Sequence, residues 1–381
     1  MYDSSAQQEW GFLCACASPA STSAEIEQLL GPRLNWDVLL NLAELHSVPG
    51  LVNARLREVS FGGVPNSAKE KLQIRMRDQH LFTLSMTAEL FRLLQGFSSA
   101  RIETMLVKGP VASMLAYGDP SMRSYADLDL LVRHRDIQAA VQGMREQGFQ
   151  TNLPDSAILA GKMPGDYLFR KPAQRAVELH TEHSFRYYPR KMRIEDLFRR
   201  SRKVLLDNRE VRALSLEDEF VLNCIHGAKH FWERLIWVAD IAALVTNHPE
   251  MDWEKAKRAA AEAGAGRMLR VGVHLATALL RSPIPAALLP EIQKDRAVER
   301  LSRRIQTWLP YAGAAPPALP ERALFRLKMA GGGITGASYL LRLTLSPTEE
   351  DWSKGEEERK PWLWDVVRRP FRLLRKYGSN E

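Results

Sequence analysis

Between Thr104 and His180 the apolar residues stop recurring at three- and four-residue spacing and begin to alternate. This change of period restricts the fold more than any other feature of the chain. Thr104–Val107 and Leu128–Val132 are short apolar runs. Phe149–Asn152, Tyr167–Arg170 and Ala176–His180 are further strand candidates. The last two are separated by Lys171-Pro172-Ala173-Gln174-Arg175, which suits a hairpin connection. Val111–Tyr117 and Ile137–Gln147 read as helices, the second closed by Gly148. Together these segments predict a compact α+β unit, a few strands with helices on one side.

On either side the pattern is helical. Trp36, Leu39, Leu40 and Ala43 follow Asn35, which is placed to cap, and Pro49-Gly50 breaks the run. A longer amphipathic stretch extends from about Ala68 to Phe97. After Ile194 the chain reads as helix again, through Glu217–His230, Trp232–Asn247 and Trp253–Arg281. Leu309–Pro320, with four prolines, reads as a surface connection. Gly331-Gly332-Gly333 lacks the Lys-Ser/Thr and the preceding strand of a phosphate loop, and reads as a turn. The expected organisation is a loose leader (1–30), an N-terminal helical region (31–100), the α+β unit (101–195), a helical domain (196–308), and a connection with a C-terminal basic helix (309–381).

Composition narrows the partners. With 45% apolar and 26% charged residues, wholesale disorder and collagen-like repeats are excluded. Three cysteines, Cys14, Cys16 and Cys224, form no C-x-x-C pair, which excludes a disulfide scaffold and suits a reducing compartment. No apolar run reaches the roughly 18 residues of a spanning helix. Asp3 and Glu9 stand where a signal peptide has basic residues, so the expected location is cytoplasmic. An excess of 53 Lys+Arg over 45 Asp+Glu (+8) suits nucleotides, RNA or an anionic surface, or else a solvated basic face. The tail Trp362–Tyr377 interleaves Arg368, Arg369, Arg372, Arg375 and Lys376 with aromatics and leucines. Pro370 interrupts it, so a docked C-terminal helix is expected rather than peripheral membrane contact.

The chemistry concentrates around Asp127-Leu128-Asp129. Two residues apart on a strand, both carboxylates share one face while Leu128 and Leu130 point to the core. The pair alone is a weak signal, better served by an edge strand with a solvated polar face. Its neighbours strengthen it. Gly109 ends a strand and opens a helix, where backbone N–H groups favour a phosphate, and Lys108 stands beside that turn. In Val177-Glu178-Leu179-His180, Glu178 and His180 share a face, so a β-strand beside Leu128–Val132 would bring a third carboxylate to the same place. Mg²⁺ prefers carboxylates together with substrate phosphates. Three carboxylates with a Gly turn and nearby Lys/Arg describe a two-metal phosphoryl-transfer centre.

These stretches resemble the polymerase-beta-type nucleotidyltransferases, and more narrowly the bacterial group called uncharacterised nucleotidyltransferases. The matching residues are Leu106–Ala112, Tyr117–Pro120, Arg123 with Asp127–Val132, Val177–His180, His226–Ala242 and Arg369–Arg375. The turn departs from the usual Gly-Ser or Gly-Gly, having Gly109-Pro110, so that Lys108 is expected to take over part of a phosphate contact. The resemblance implies a polymerase-beta-like palm, a small mixed sheet with helices, flanked by N- and C-terminal helical regions. It implies an enzyme that moves a nucleoside monophosphate from an NTP to an acceptor (small molecule, peptide or sugar) with release of pyrophosphate. Asp127, Asp129 and Glu178 would hold Mg²⁺ (or Mn²⁺), and Lys108, Gly109, Arg123, Lys229 and His230 would bind the nucleotide. An RNA acceptor, as in tRNA-modifying toxins of the superfamily, and a non-catalytic nucleotide-binding protein are the alternatives. His226 and His230 share a helix face, but Gly227 stands where a zinc protease has its glutamate.

Overall fold

The computed structural model describes residues 6–159, 165–171, 175–182, 190, 192–311, 319–331, 336–339 and 341–342. The chain opens with α1 (Gln7–Ala17), α2 (Ser23–Leu29), α3 (Trp36–Leu45), α4 (Pro49–Glu58) and the 34-residue α5 (Asn66–Ser99). The α+β unit follows as β1 (Thr104–Val107), α6 (Gly109–Tyr117), β2 (Asp127–Val132), α7 (Ile137–Glu146), α8 (Asp155–Leu159), β3 (Asp166–Lys171) and β4 (Arg175–His180). After α9 (Ile194–Arg200) come β5 (Arg202–Leu206) and β6 (Arg209–Ala213). The chain then runs through α10 (Leu216–Lys229), α11 (Leu235–Asn247), α12 (Trp253–Glu262), α13 (Gly266–Leu280), α14 (Leu289–Lys294), α15 (Arg296–Trp308) and α16 (Leu319–Met329). The tail Trp362–Tyr377, the acidic residues before it and Gly332-Gly333 lie outside the described residues.

The fold is α+β, built on a mixed six-stranded sheet of order β3-β4-β2-β1-β6-β5. β2 is antiparallel to β1 and parallel to β4, and β3–β4 and β5–β6 are antiparallel pairs. α10 packs on α11, α12 and α13, and α6 packs against α11, which ties the helical region to the sheet. One apolar core continues from α1 through the sheet into the later helices. Among the described residues no helix is long and apolar enough to cross a membrane.

Four parts differ from the expectations. Residues 1–30 are not a loose leader where they are described: Phe12 and Leu13 of α1 are fully buried, and α1 packs on α3, α4, α11 and α13. Ser18 Oγ donates to the Leu280 carbonyl at 2.6 Å, and Arg281 pairs with Glu25 at 2.8 Å, fastening the segment to the end of α13. Thr22 and Glu25 cap α2 reciprocally. The helical reading after Ile194 also fails over β5–β6. Asp207 and Asn208, at φ of 45° and 60°, turn the chain in a two-residue hairpin, and β6 adds to the sheet beside β1. Trp253–Arg281 is two helices, parted at Gly264 with φ of 66°. The strand expected at Phe149–Asn152 amounts to a single bridge between Gln150 and Arg170.

Gly227 of α10 lies on the indole of Trp232. A Cβ there would come 2.6 Å from Trp232 Cε3 and Cζ3. Trp232 is fully buried, so it has little room to yield. Gly227→Ala should therefore destabilise the protein by about 1–3 kcal/mol, lowering the urea midpoint with little change in slope. An unchanged midpoint would show that the ring can move aside.

Candidate functional site

The β2–β4 register builds the site. Asp129 pairs with Glu178 and Asp127 with Ala176, while on the other side of β4 Asp166 pairs with His180. Paired residues share a sheet face, so Asp127, Asp129, Glu178, His180 and Asp166 all emerge on the same side. Leu128, Leu130, Val177 and Leu179 fill the opposite face and are fully buried. α10 forms the facing wall. The cleft between them is lined by Lys108, Asp166, Glu178, His180 and Glu182 on one side and Leu222, Ile225, His226 and Lys229 on the other.

Asp129 is the centre of the charge arrangement. Its Oδ1 accepts from Lys108 Nζ at 2.6 Å and from His180 Nε2 at 2.8 Å. His180 Nδ1 bonds Asp166 Oδ1 at 2.8 Å, and Glu178 Oε2 lies 3.5 Å from His180 Nε2. Burial alone would strip the proton from His180, but Asp166 and Asp129 outweigh it and push the imidazole up to about 9. The ring is therefore protonated at neutral pH and donates from both nitrogens. Burial likewise opposes charge on Lys108, yet Asp129, with Glu178 and Asp166, holds the ammonium well above its usual range. Asp129 and Asp166 are correspondingly held well below the usual carboxylate range in spite of their burial.

Asp127 has a different environment. Among the described residues its carboxylate takes part in no hydrogen bond or ion pair, and it stands two residues along the strand from Asp129, about 6.6 Å by strand rise. Burial, then repulsion from Asp129 and Glu178, pushes it up to about 6, against the pull of Lys108 and His180. Among the described residues, ligand atoms of Asp129, Glu178 and His180 lie within 4.8 Å of one another, a group able to hold a metal ion. Because His180 is protonated, the carboxylates are the available donors. Asp127, Asp129 and Glu178 offer hard oxygens and surplus negative charge, a donor set that fits Mg²⁺ or Mn²⁺.

The turn before α6 is strained. Lys108 has φ of 55° and ψ of −151°, and Gly109 follows at φ of 48°, a conformation suited to glycine. Pro110 contributes no N–H, as expected from the sequence. The Lys108 side chain turns inward to Asp129 rather than standing free for an anion.

Other expected contacts are distributed differently. Arg123 is not among the cleft-lining residues. It is 6% exposed, with its Nε 3.0 Å from Asp240 Oδ2, an ion pair whose angles fall short of a hydrogen bond. Tyr117 donates to Asp240 Oδ1 at 2.8 Å, and the Arg123 backbone N–H donates to Ser113 Oγ. These bonds brace the α6–β2 connection from behind. Lys229 lines the cleft. His230 caps α10 and packs against His226 and Trp237, with ring centroids 4.7 and 5.3 Å away. Burial, reinforced by Lys229 and Lys108, lowers His230 to about 4, so it is neutral. Asp166 and the two bonds of His180 escape a sequence reading. The signal available was the odd-even phase of Asp166 with Leu168, which becomes informative once β3 is known to lie beside β4.

Residues 32–281 match the profile of a family described as "uncharacterised nucleotidyltransferase". No curated protein matches the chain. Among solved structures, the lincomycin-bound lincosamide antibiotic adenylyltransferase LnuA is similar at 15% identity, covering 41% of this chain and 94% of that chain with a TM-score of 0.29. An antigenic nucleotidyltransferase-like protein from Paracoccidioides brasiliensis is similar at 16% identity, covering 53% of this chain and 95% of that chain with a TM-score of 0.33.

The uncompensated carboxylate has a measurable signature in metal-free buffer. Asp127 titrates at about 6 in the folded state against an ordinary 3.8, so the folded protein holds that proton more tightly. Its contribution to stability is present at low pH and is lost as pH rises through this interval. Asp127→Asn should thus be more stable than the wild type by about 1–3 kcal/mol at pH 7. The gain should shrink as the pH is lowered toward about 4. Urea melts in EDTA at several pH values check this; a pH-independent difference would place Asp127 outside the repulsive cluster.

Proposed function

The chain belongs to the uncharacterised nucleotidyltransferase family, and from that membership we propose that it transfers a nucleoside monophosphate from an NTP to a hydroxyl-bearing acceptor, using a divalent cation held by Asp127, Asp129 and Glu178. The observation that carries this reading is the convergence of the three carboxylates on one sheet face beside the Gly109 turn, with Asp127 left uncompensated. In this reading the sheet unit supplies the carboxylates, and the helical region from α10 onward supplies the opposite wall of the cleft.

A bound Mg²⁺ supplies Lewis-acid stabilisation of the triphosphate and lowers the pKa of the acceptor hydroxyl. The chain's residues do the positioning. Asp166 fixes His180, and His180 in turn orients Asp129. The first N–H groups of α6 and the Lys229 ammonium on the facing wall attract the triphosphate. Lys108, turned inward to Asp129, balances charge inside the carboxylate cluster rather than meeting the phosphates. The acceptor oxygen bonds to the α-phosphorus as the bridging P–O bond to the β-phosphate breaks, and pyrophosphate leaves. Glu178, with about a third of its side chain exposed at the cleft, takes up the acceptor's proton. Catalysis of this kind depends on positioning and electrostatics.

Incubation with each α-labelled NTP, Mg²⁺ and a cell extract should yield a labelled product, lost in EDTA. Asp127→Asn and Asp129→Asn should each lower transfer by at least about a hundredfold while the protein stays folded. Wild-type transfer by the double variant, or transfer that persists in EDTA, would remove the cation from the mechanism.

A further inference from the structure

The two oxygens of Asp129 are used unequally. Oδ1 accepts from Lys108 Nζ at 2.6 Å and from His180 Nε2 at 2.8 Å. A carboxylate offers about four lone-pair sites, two on each oxygen, so these two donors fill Oδ1. Among the described residues no bond falls on Oδ2. Neither donor is loosely held. His180 is fixed through its other nitrogen by Asp166 at 2.8 Å. Lys108 is aimed by its backbone, whose φ of 55° and ψ of −151° lie in a region almost reserved for glycine. A lysine keeps such strain only where its surroundings over-determine it, and here only 18% of the side chain is exposed. A solvated lysine would need no such backbone.

This division limits how many ions the carboxylates can hold. In a paired-metal centre the ions lie about 3.5–4 Å apart, and a carboxylate shared between them gives one oxygen to each. Asp129 is central to this face, set opposite Glu178 by the strand register. With Oδ1 full it has one oxygen left to give, so it serves one ion and does not bridge two. A positive charge already stands at Oδ1. It is the Lys108 ammonium, which lines the cleft together with Glu178 and His180.

We propose that the Lys108 ammonium is a second cation of the centre built into the chain, and that the carboxylates bind a single divalent ion through Oδ2 of Asp129 with Asp127 and Glu178. This deepens the cation site proposed above and rests on it. Lys108 stays on Oδ1 whether or not the ion is bound, and the two cations neutralise opposite oxygens of one carboxylate. The lysine closes the second position in two ways. It occupies the lone pair that a further ion would need, and its charge repels that ion. The two-metal centre suggested by the residue types thus becomes one metal and one lysine.

Counting Mn²⁺ on the full-length protein tests this without turnover, by equilibrium dialysis and electron paramagnetic resonance at a saturating non-hydrolysable NTP analogue. The wild type should bind one Mn²⁺ per chain, with the spectrum of an isolated ion. Lys108→Met removes the ammonium and frees Oδ1. The count should then rise to two, with the spectrum of a spin-coupled pair, as expected for ions about 3.5–4 Å apart. Lys229→Met, which removes the same charge from the facing wall, should stay at one. Two coupled ions in the wild type overturn the proposal, and so does a Lys108→Met protein that stays at one. A count of two in both lysine variants would mean that net charge alone sets the number, which overturns the role given to Oδ1. If Lys108→Met fails to fold, the wild-type count and spectrum still decide. Absence of bound Mn²⁺, or binding indifferent to Asp129→Asn, removes the cation site itself, an outcome distinct from two ions bound at these carboxylates.

Discussion

Asp127, Asp129, Glu178 and Asp166 emerge on one face of three neighbouring strands, and Lys108 and His180 bond directly into that group. Like charges about 4 Å apart repel by about 4 kcal/mol even at a protein-surface dielectric of about 20. The cluster persists because Asp129 is clamped from two sides and because His180 bridges Asp129 to Asp166. What the clamps leave over appears at Asp127, which burial and its neighbours push up to about 6. That residual repulsion is the property a divalent cation would remove. The same surplus of negative charge would be destabilising in a protein with no use for it.

The surrounding architecture serves to hold this face at the cleft. The parallel register of β2 and β4 sets Glu178 opposite Asp129, and a slip of one residue would turn it into the core. The positive-φ turn at Lys108 and Gly109 brings the lysine ammonium back over β2. Such backbone strain costs about 1–3 kcal/mol and is offset by the buried, charge-assisted bond to Asp129. Arg123, Asp240 and Tyr117 lock the 18-residue path from Gly109 to Asp127 against α11. α10, wedged on Trp232 through Gly227, closes the cleft and sets Lys229 across from Glu178.

Much of this face could be read from the sequence because a strand has a period of two. The phases of Asp127/Asp129 and Glu178/His180 are visible without coordinates, and so is the Gly109 turn. What could not be read is which strands are neighbours. Asp166 is one unremarkable acidic residue until β3 lies antiparallel to β4. The inward turn of Lys108 depends on backbone angles that residue identity does not fix, and Arg123 resembles a phosphate ligand until Asp240, more than a hundred residues later, is found 3.0 Å from it. At the level of the fold, long-period helices were legible, whereas α1 was not. The β5–β6 hairpin was hidden by strands whose exposed positions are mostly charged, although Asp207-Asn208 marks its turn.

The proposed chemistry depends on cation and triphosphate meeting at the carboxylate face of β2 and β4. Anomalous diffraction from crystals grown with Mn²⁺ and a non-hydrolysable NTP analogue addresses it directly. The expected result is a manganese peak coordinated by Asp127, Asp129 and Glu178 together with triphosphate oxygens in the cleft facing α10. A peak held elsewhere, or an ordered triphosphate with no metal at these carboxylates, would contradict it.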